Sequence, residues 1–459
     1  MGEKRIQIEP FHIQNLLTYH SLRYENEHGK VMLSGIIAKE HTEEYIQLLQ
    51  GNVWVSISLQ EEEETYDLFR GIVTEGDMRQ EGGCSILSLT LYTGTILLDT
   101  VRHTRSFQDS ALTYKDIIRH ILGQYENGNM IMTSENGAGG FMMQYRETDW
   151  TFFKRIASCM HTVLMADART GGSKFFCGVP QKGVAGEIQT GFYRVTKRLH
   201  EFGKRKAWGV TGIREDDFTY YRVKTKELYE LGDRIIFNGV PVHICGVESR
   251  MEGSELYHTY DMKRPGGFRV PKLYNEALTG VSLTGYVTEV SGTRICISLE
   301  ADENQAECGR TWFDFSTPYS SYDGAGFYCM PEIGDTVRLY FPTCDEKKAC
   351  GFSAVNREER QNPEIKYLMN KEGKQLILAP DYIRLTNNAG MSLELNDHAG
   401  IRIESSGSVS VQAGGNLDIV SKHGKVTLSA AGKVVLEQGK TTMNLAGDIH
   451  LKGASVKIN

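Results

Sequence analysis

Apolar and polar residues alternate in short runs over the first hundred positions. Val53, Val55, Ile57 and Leu59 form one such run, and Ile86, Leu87, Leu89 and Leu91 another. A period of two over such lengths predicts half-buried strands. The period then changes. Thr113 is placed to cap a helix, with Asp116 three residues on as the reciprocal partner of a capping box. Ile117, Ile118, Ile121, Leu122 and Tyr125 share one helical face, and Gly128 lies just beyond. A second helix is predicted from Thr148-Asp149, with Trp150, Phe153, Ala157 and Met160 as its core-facing stripe. Strands return at Val163–Met165 and, after a Gly171-Gly172 turn, at Lys174–Cys177. Residues 180–265 again read as mostly β. Asn238-Gly239 is the dipeptide of a type I′ hairpin, and Val240, Val242 and Ile244 alternate on the return strand.

Arg264-Pro265-Gly266-Gly267, with Pro271 soon after, reads as a linker. A compact all-β block follows over 278–356, with strands at Leu283–Val290, Thr293–Leu299 and Thr336–Phe341. That size and strand density suit a small oligonucleotide/oligosaccharide-binding (OB) barrel. The polar stretch Arg357–Pro363 makes a second linker. The expected organisation is therefore a first domain over 1–265, a linker over 266–277, an OB-fold barrel over 278–356, a linker over 357–375 and a repetitive tail over 376–459.

The tail has its own rhythm. Apolar pairs separated by one residue recur at Leu393/Leu395, Ile401/Ile403, Val409/Val411, Leu417/Ile419, Val426/Leu428, Val434/Leu436, Met443/Leu445, Ile449/Leu451 and Val456/Ile458. Their first members step by 8, 8, 8, 9, 8, 9, 6 and 7 residues. Glycines mark the joints at Gly390, Gly400, Gly407, Gly414-Gly415, Gly424, Gly432, Gly439, Gly447 and Gly453. Each octad is one short strand and one sharp turn, with glycine supplying the backbone angles other residues reach only with strain. Such a unit cannot bury its apolar side alone and needs stacked neighbours. Three octads of one chain can complete a coil, or three chains can intertwine. A lone chain would expose strand edges, so the intertwined trimer is preferred. The expected shaft core is Val409, Val411, Leu417, Ile419, Val426, Leu428, Val434 and Leu436.

Composition narrows the function. Of 459 residues, 48 are glycine and only 10 proline, without a three-residue glycine period, which excludes collagen and argues against low-complexity disorder. The net charge of −7 lacks the basic footprint of a nucleic-acid binder. The run Glu61–Glu64 reads as a solvated loop between strands. Nine cysteines occur with no CxxC pair, and no four-ligand zinc site can be assembled. Cys344 and Cys350 read as two reduced thiols beside a hairpin. No GxSxG, HExxH, Walker A or Rossmann fingerprint is present, and the 13 histidines are scattered. No catalytic residue, cofactor or metal is expected, and the chain is not expected to be an enzyme. The N-terminus lacks the apolar core of a signal peptide, so the protein is expected to be made in the cytoplasm.

Gln144-Tyr145-Arg146-Glu147-Thr148-Asp149-Trp150-Thr151-Phe152-Phe153-Lys154-Arg155 resembles the hub signature of the VgrG-type spike proteins of type VI secretion systems, related to the hub and cell-puncturing proteins of contractile phage tails. In the barrel, Pro331-Glu332-Ile333-Gly334-Asp335-Thr336-Val337 is similar to the family's barrel strand motif, and Gly351-Phe352 to Val355-Asn356 to its closing strand. The octad tail is similar to the family's triple-stranded β-helix. The likeness covers nearly the whole length in the family's order. There are departures. Pro342-Thr343-Cys344-Asp345 stands where the family has a glycine-aspartate-proline turn, and His450 stands without the His-x-His pair of some phage tips. No lysozyme-sized insertion and no effector domain after Asn459 are expected.

The resemblance implies a mainly β fold with a few helices: two β-barrel modules in a hub over 1–265, an OB-fold barrel and an intertwined trimeric β-helix. It marks Gln144, Tyr145, Glu147, Trp150, Phe153 and Arg155 as hub signature residues. It implies a homotrimer that adapts a hexameric inner tube to a needle, contacts baseplate proteins, punctures a target envelope and can deliver effector cargo. The assembled particle would act outside the cell or in a target cell. A conical PAAR-type tip protein would sit on Val456, Lys457, Ile458 and Asn459. The rival readings are a trimeric tail fibre or adhesin with a β-helix stalk, and a spike with cell-wall-degrading activity.

Overall fold

The computed structural model describes residues 5–49, 52–62, 64–134, 137, 140–304, 310–354 and 362–445. The fold is mostly strand with four short α-helices among the described residues, and the chain parts into two compact units, 1–356 and 357–459.

Six strands occupy the first hundred residues: β1 (Arg5–Glu9), β2 (Ile13–Tyr24), β3 (Lys30–Ile37), β4 (Trp54–Glu61), β5 (Glu64–Glu81) and β6 (Cys84–Thr93), with helix α1 (Thr42–Leu48) between β3 and β4. The alternation predicted from sequence is realised: Val55, Ile57 and Leu59 of β4 and Leu87, Leu89 and Leu91 of β6 enter one core with Phe69. The acidic run is a strand connection, since β4 ends at Glu61 and β5 begins at Glu64.

Next come β7 (Arg102–Phe107), α2 (Tyr114–Leu122), β8 (Asn129–Met132), β9 (Met142–Thr148), α3 (Asp149–Cys159), β10 (Leu164–Ala166) and β11 (Lys174–Cys177). The capping box at Thr113 and Asp116 is present, and Ile117, Ile118, Ile121 and Leu122 are buried. Helix α2 stops at Leu122 with Gly123 as its cap, ahead of Gly128. Thr148 caps α3 through its hydroxyl, and Trp150, Phe153 and Ala157 are buried as the stripe predicts.

The last third of this region holds β12 (Val184–Ile188), β13 (Tyr193–Lys197), α4 (Leu199–Ala207), β14 (Thr219–Thr225), β15 (Arg234–Phe237), β16 (Val240–Glu252) and β17 (Glu255–Lys263). Asn238 and Gly239 have φ of 45° and 79°, the double left-handed geometry of a type I′ turn, and Phe237 pairs with Val240 across it. Strand β16 also pairs with β2, so both halves share one twelve-stranded sheet. Its main path runs β1-β4-β5-β6-β3-β2-β16-β17-β14-β13, with β15 on β16 and β12 on β15. Pro265–Phe268, inside the stretch that reads as a linker, is a 3-10 turn packed into the fold with Phe268 buried under the Lys263 ammonium, 4.3 Å from its ring.

Five antiparallel strands follow: β18 (Ser282–Ser291), β19 (Arg294–Leu299), β20 (Trp312–Asp314), β21 (Thr336–Tyr340) and β22 (Cys350–Ala354), in the order β20-β19-β18-β21-β22. A parallel bridge between Phe315 and Gly351 brings the two ends of this sheet together. Val287, Ile295, Ile297, Leu299, Val337 and Leu339 fill its core. Cys344 and Cys350 are free thiols.

The second unit begins with an antiparallel meander: β23 (Lys366–Met369), β24 (Gln375–Leu378), β25 (Tyr382–Thr386), β26 (Met391–Asn396) and β27 (Gly400–Ser405), each paired with the next. The first of these strands lies inside the stretch that reads as a linker over 357–375. Gly390 and Gly400 sit at its turns with φ of 87° and 84°. From 408 to 433 the chain carries no strand, and a hairpin of β28 (Val434–Gln438) and β29 (Thr441–Leu445) follows. The glycines of the middle stretch do not take the left-handed conformation that the joint reading expects. Positive φ returns at Gly439.

Candidate functional site

Of the six signature residues, Gln144, Glu147 and Arg155 come together where β9 enters α3. Strand β9 pairs with β7, and the register shifts by one residue between His103 and Thr104, so that Arg146 bulges at φ 51°. In a regular strand, residues three apart face opposite sides. The bulge returns Glu147 to the side that Gln144 occupies, and both are buried. The Gln144 side-chain amide donates to Asp149 Oδ1 (2.8 Å) and to the Glu147 carbonyl (3.1 Å). Asp149, fully buried in the first turn of α3, also accepts from the Tyr125 hydroxyl at 2.6 Å and lies 3.4 Å from the Arg105 guanidinium. Burial, with the neighbouring Asp149 carboxylate, pushes the Tyr125 hydroxyl pKa well up.

Nearly two turns further along α3, Arg155 is 3% exposed. Its Nη2 donates to Glu147 Oε2 (2.9 Å) and to the Met143 carbonyl (2.6 Å), and its Nη1 to Glu346 Oε1 (2.7 Å). Glu346 comes from the 3-10 turn between β21 and β22, so one guanidinium ties the helix, the bulged strand and the five-stranded block together. Two carboxylates share one cation out of water. Burial accordingly raises the Glu147 pKa, against the pull of Arg155.

Trp150 and Phe153 face away from this cluster. The Trp150 indole lies tilted against the His28 ring (4.8 Å) and meets the edge of Phe175 (5.5 Å), and Phe153 also packs on Phe175. Tyr145 leans towards the five-stranded block, and its carbonyl accepts from Asn275 at 2.8 Å. A second seam runs along β7: the Ser106 and Thr104 amides donate to Asp302 (2.9 Å) and Glu303 (2.8 Å), while Phe141 enters the core of the block beside Phe313. Sequence reasoning missed Glu346, Asp302 and Glu303. Glu346 sat in a charged run between two cysteines with no local signal of burial.

His28 lies in the same neighbourhood, with Nδ1 2.8 Å from Thr95 Oγ1 and Nε2 3.3 Å from Asp99. Burial lowers its pKa from the ordinary value near 6.5, outweighing Asp99. Below about pH 6.5 the unfolded chain then binds a proton that the folded chain refuses, so stability falls with pH down to the lowered value. We expect the urea midpoint to drop between pH 7.5 and 5.5, and to drop less in His28→Gln. Equal drops in both proteins would remove His28 from the account.

In the second unit the apolar side chains of the meander line up in two columns across its strands. Leu376, Leu385, Leu393 and Ile403 form one, in successive register, and Leu378, Ile383, Leu395 and Ile401 the other. These eight are between 38 and 72% exposed. The opposite side is polar, with Arg384 Nε 2.7 Å from Glu394 Oε2 across β25 and β26. Of the expected shaft core, Val409, Val411, Leu417, Ile419, Val426 and Leu428 are exposed in the strandless stretch. Val434 is half-buried and Leu436 exposed in the hairpin. Val456, Lys457, Ile458 and Asn459 lie outside the described residues, as do the pairs Ile449/Leu451 and Val456/Ile458. Among the described residues, no cluster of three or more His, Cys, Asp or Glu is placed to hold a metal ion, and no helix is long and apolar enough to cross a membrane.

Comparison with known proteins places this geometry. The phage tail baseplate hub (GPD) family matches residues 33–159, the span from β3 through α3. No curated protein matches the chain. Among solved structures, the chain is similar to an E. coli type VI secretion component, itself described as structurally similar to the T4 bacteriophage tail proteins gp27 and gp5. That match has a TM-score of 0.53 at 14% identity, over 77% of this chain and 100% of the other. It is also similar to the Francisella PdpA-VgrG complex in its half-lidded form (TM-score 0.56, 8% identity, 88% of each chain) and its lidless form (TM-score 0.54, 9% identity, 88% of this chain and 99% of the other). At such identities the likeness is one of fold. Residues 33–159 thus match the phage tail baseplate hub (GPD) family, in a chain whose fold is similar to that of type VI secretion and phage tail proteins.

Proposed function

We propose that the protein is the homotrimeric hub and spike of a contractile injection machine. Its first unit adapts a hexameric inner tube to a three-fold spike, and its second unit forms a needle that punctures the target envelope and carries cargo through it. The observation that carries this reading is the second unit's unsatisfied state as a single chain. Two columns of aliphatic side chains lie open to water along the meander, and six more such residues follow in a stretch without strand partners. Burying a Leu or Ile side chain fully is worth roughly 1.5–3 kcal/mol, so this surface strongly favours association. The Phe315–Gly351 bridge supports an OB-fold barrel as the neck.

In this role the chain needs stiffness, and we assign it no catalytic activity and no cofactor. The protein is made in the cytoplasm and leaves the cell within the particle. A PAAR-type protein covers the tip, and an effector rides with it. The test is a native mass together with co-purification. A mass three times the 51.6 kDa of one chain, with tube and baseplate proteins in the same fractions, is the expected result. A monomer would overturn both trimeric readings, and a trimer that captures a surface receptor in place of the tube would favour the fibre reading.

A further inference from the structure

The twelve-stranded sheet ends at β13. Among the described residues that strand pairs with β14 on one side and with no strand on the other, so its outer row of amides and carbonyls is open. All ten residues from 191 to 200 are exposed, among them Phe192 at 92%, Tyr193 at 47% and Val195 at 49%. The local charge also departs from that of the chain. Residues 192–214 hold seven Lys or Arg against one Glu, in a protein of net charge −7. Several of these cations are engaged nearby: Lys197 with Glu215 (2.5 Å), Arg198 with Glu201 (3.6 Å), and Arg205 with the Gly267 and Arg269 carbonyls (2.9 and 2.7 Å). Arg194 has no acidic partner among the described residues. Its ladder neighbour is a second arginine, Arg222, whose guanidinium is already bound to Asp261 at 2.8 Å. The other face of β13 is apolar, since the Tyr193 ring meets Phe237 edge-on (5.2 Å) and strand alternation places Val195 beside it.

We propose that β13 is a docking edge, where an extended acidic segment of another protein adds a strand to the sheet. The open ladder selects a peptide. A peptide offers amides and carbonyls at the strand's own spacing, whereas a lipid surface or a nucleic acid would answer the cations and leave the ladder unpaired. The register sets the pattern of the segment. Residues directly opposite each other on paired strands share a face. The incoming strand therefore carries an acidic residue across from Arg194 and apolar residues across from Tyr193 and Val195. A second copy of the same edge is a poor occupant, because β13 against β13 adds basic residues to basic ones with no acid between them.

Fluorescence anisotropy tests this with the full-length protein and a labelled octapeptide that alternates Glu and Val. Saturable binding at low salt is expected, and Arg194→Glu is expected to weaken it about tenfold or more. Arg194→Lys keeps the charge and should keep most of the affinity. Because the site is exposed, the urea midpoint of Arg194→Glu should match the parent's, so the loss reads binding and not unfolding. Methylating every backbone nitrogen of the peptide preserves its charge and removes its ladder donors, and binding should then be lost. No binding to the parent, equal binding of the methylated peptide, or equal affinity in Arg194→Glu would each overturn strand addition at β13. Binding of phosphatidylglycerol vesicles in place of the peptide would make this edge a lipid-binding one, and a lower native mass in Arg194→Glu than in the parent would make it a contact between copies. Either result overturns the proposal. The inference does not rest on the trimeric reading, which the parent's own native mass decides.

Discussion

Arg155→Met is expected to destabilise the first unit by about 3–5 kcal/mol, the cost of leaving buried carboxylates without their cation. Glu147 and Glu346 both lose their bond to the guanidinium, and the Met143 carbonyl loses a donor. The unfolding midpoint in urea should fall accordingly. Because burial already raises the Glu147 pKa, the deficit should be largest near neutral pH and shrink on acidification, as the stranded carboxyl takes up a proton. Arg155→Lys should recover only part of the loss, since an ammonium cannot reproduce the planar fork that reaches both carboxylates. Replacing the cluster together, as Arg155→Met/Glu147→Met/Glu346→Leu, should recover more than Arg155→Lys does, because no buried charge then remains. A midpoint for Arg155→Met within a few tenths of a molar of the parent would show that the cluster couples nothing.

The second large effect belongs to the shaft. Leu393→Asp places a carboxylate in the middle of an apolar column, and a trimer would gather three of them in its dry interior. Each buried unpaired charge costs several kcal/mol, more than neighbouring leucines can offset. The native mass should fall from three chains to one while the first unit keeps its own unfolding transition. Ser392→Asp, one residue away on the polar side, is the control and should leave the mass unchanged. If Leu393→Asp remains a trimer, the columns are not the trimer interface.

Local physics made much of the first unit legible. The Thr113–Asp116 box, the α3 stripe, the I′ turn at Asn238-Gly239 and the two-residue alternation of β4 and β6 each depend on a few neighbouring residues, and each was readable. What was not readable depends on distant segments. Glu346 reaches Arg155 across 191 positions, and nothing in a charged turn announces that one of its glutamates will be buried. The bulge at Arg146 is a subtler case: a spacing of three between Gln144 and Glu147 looks wrong for a shared strand face until the backbone gains a residue. In the tail the octad itself was plain, but its pairing was not. Gly390 and Gly400 adopt the left-handed conformation and fold strands back on their own chain, whereas Gly407, Gly414, Gly424 and Gly432 do not. A similar octad rhythm therefore accompanies two backbone behaviours, paired strands up to Ser405 and none over 408–433.

The meander also has a mechanical direction. Its ladder bonds point from strand to strand, at roughly 4.8 Å per step, so they line up along the stacking direction. A thrust along that direction presses each peptide against the next, where van der Waals contact resists further approach. A pull along it is borne by the hydrogen bonds alone, starting at an end strand and opening one row after another. Such a stack is expected to be stiff in compression and to unzip under tension.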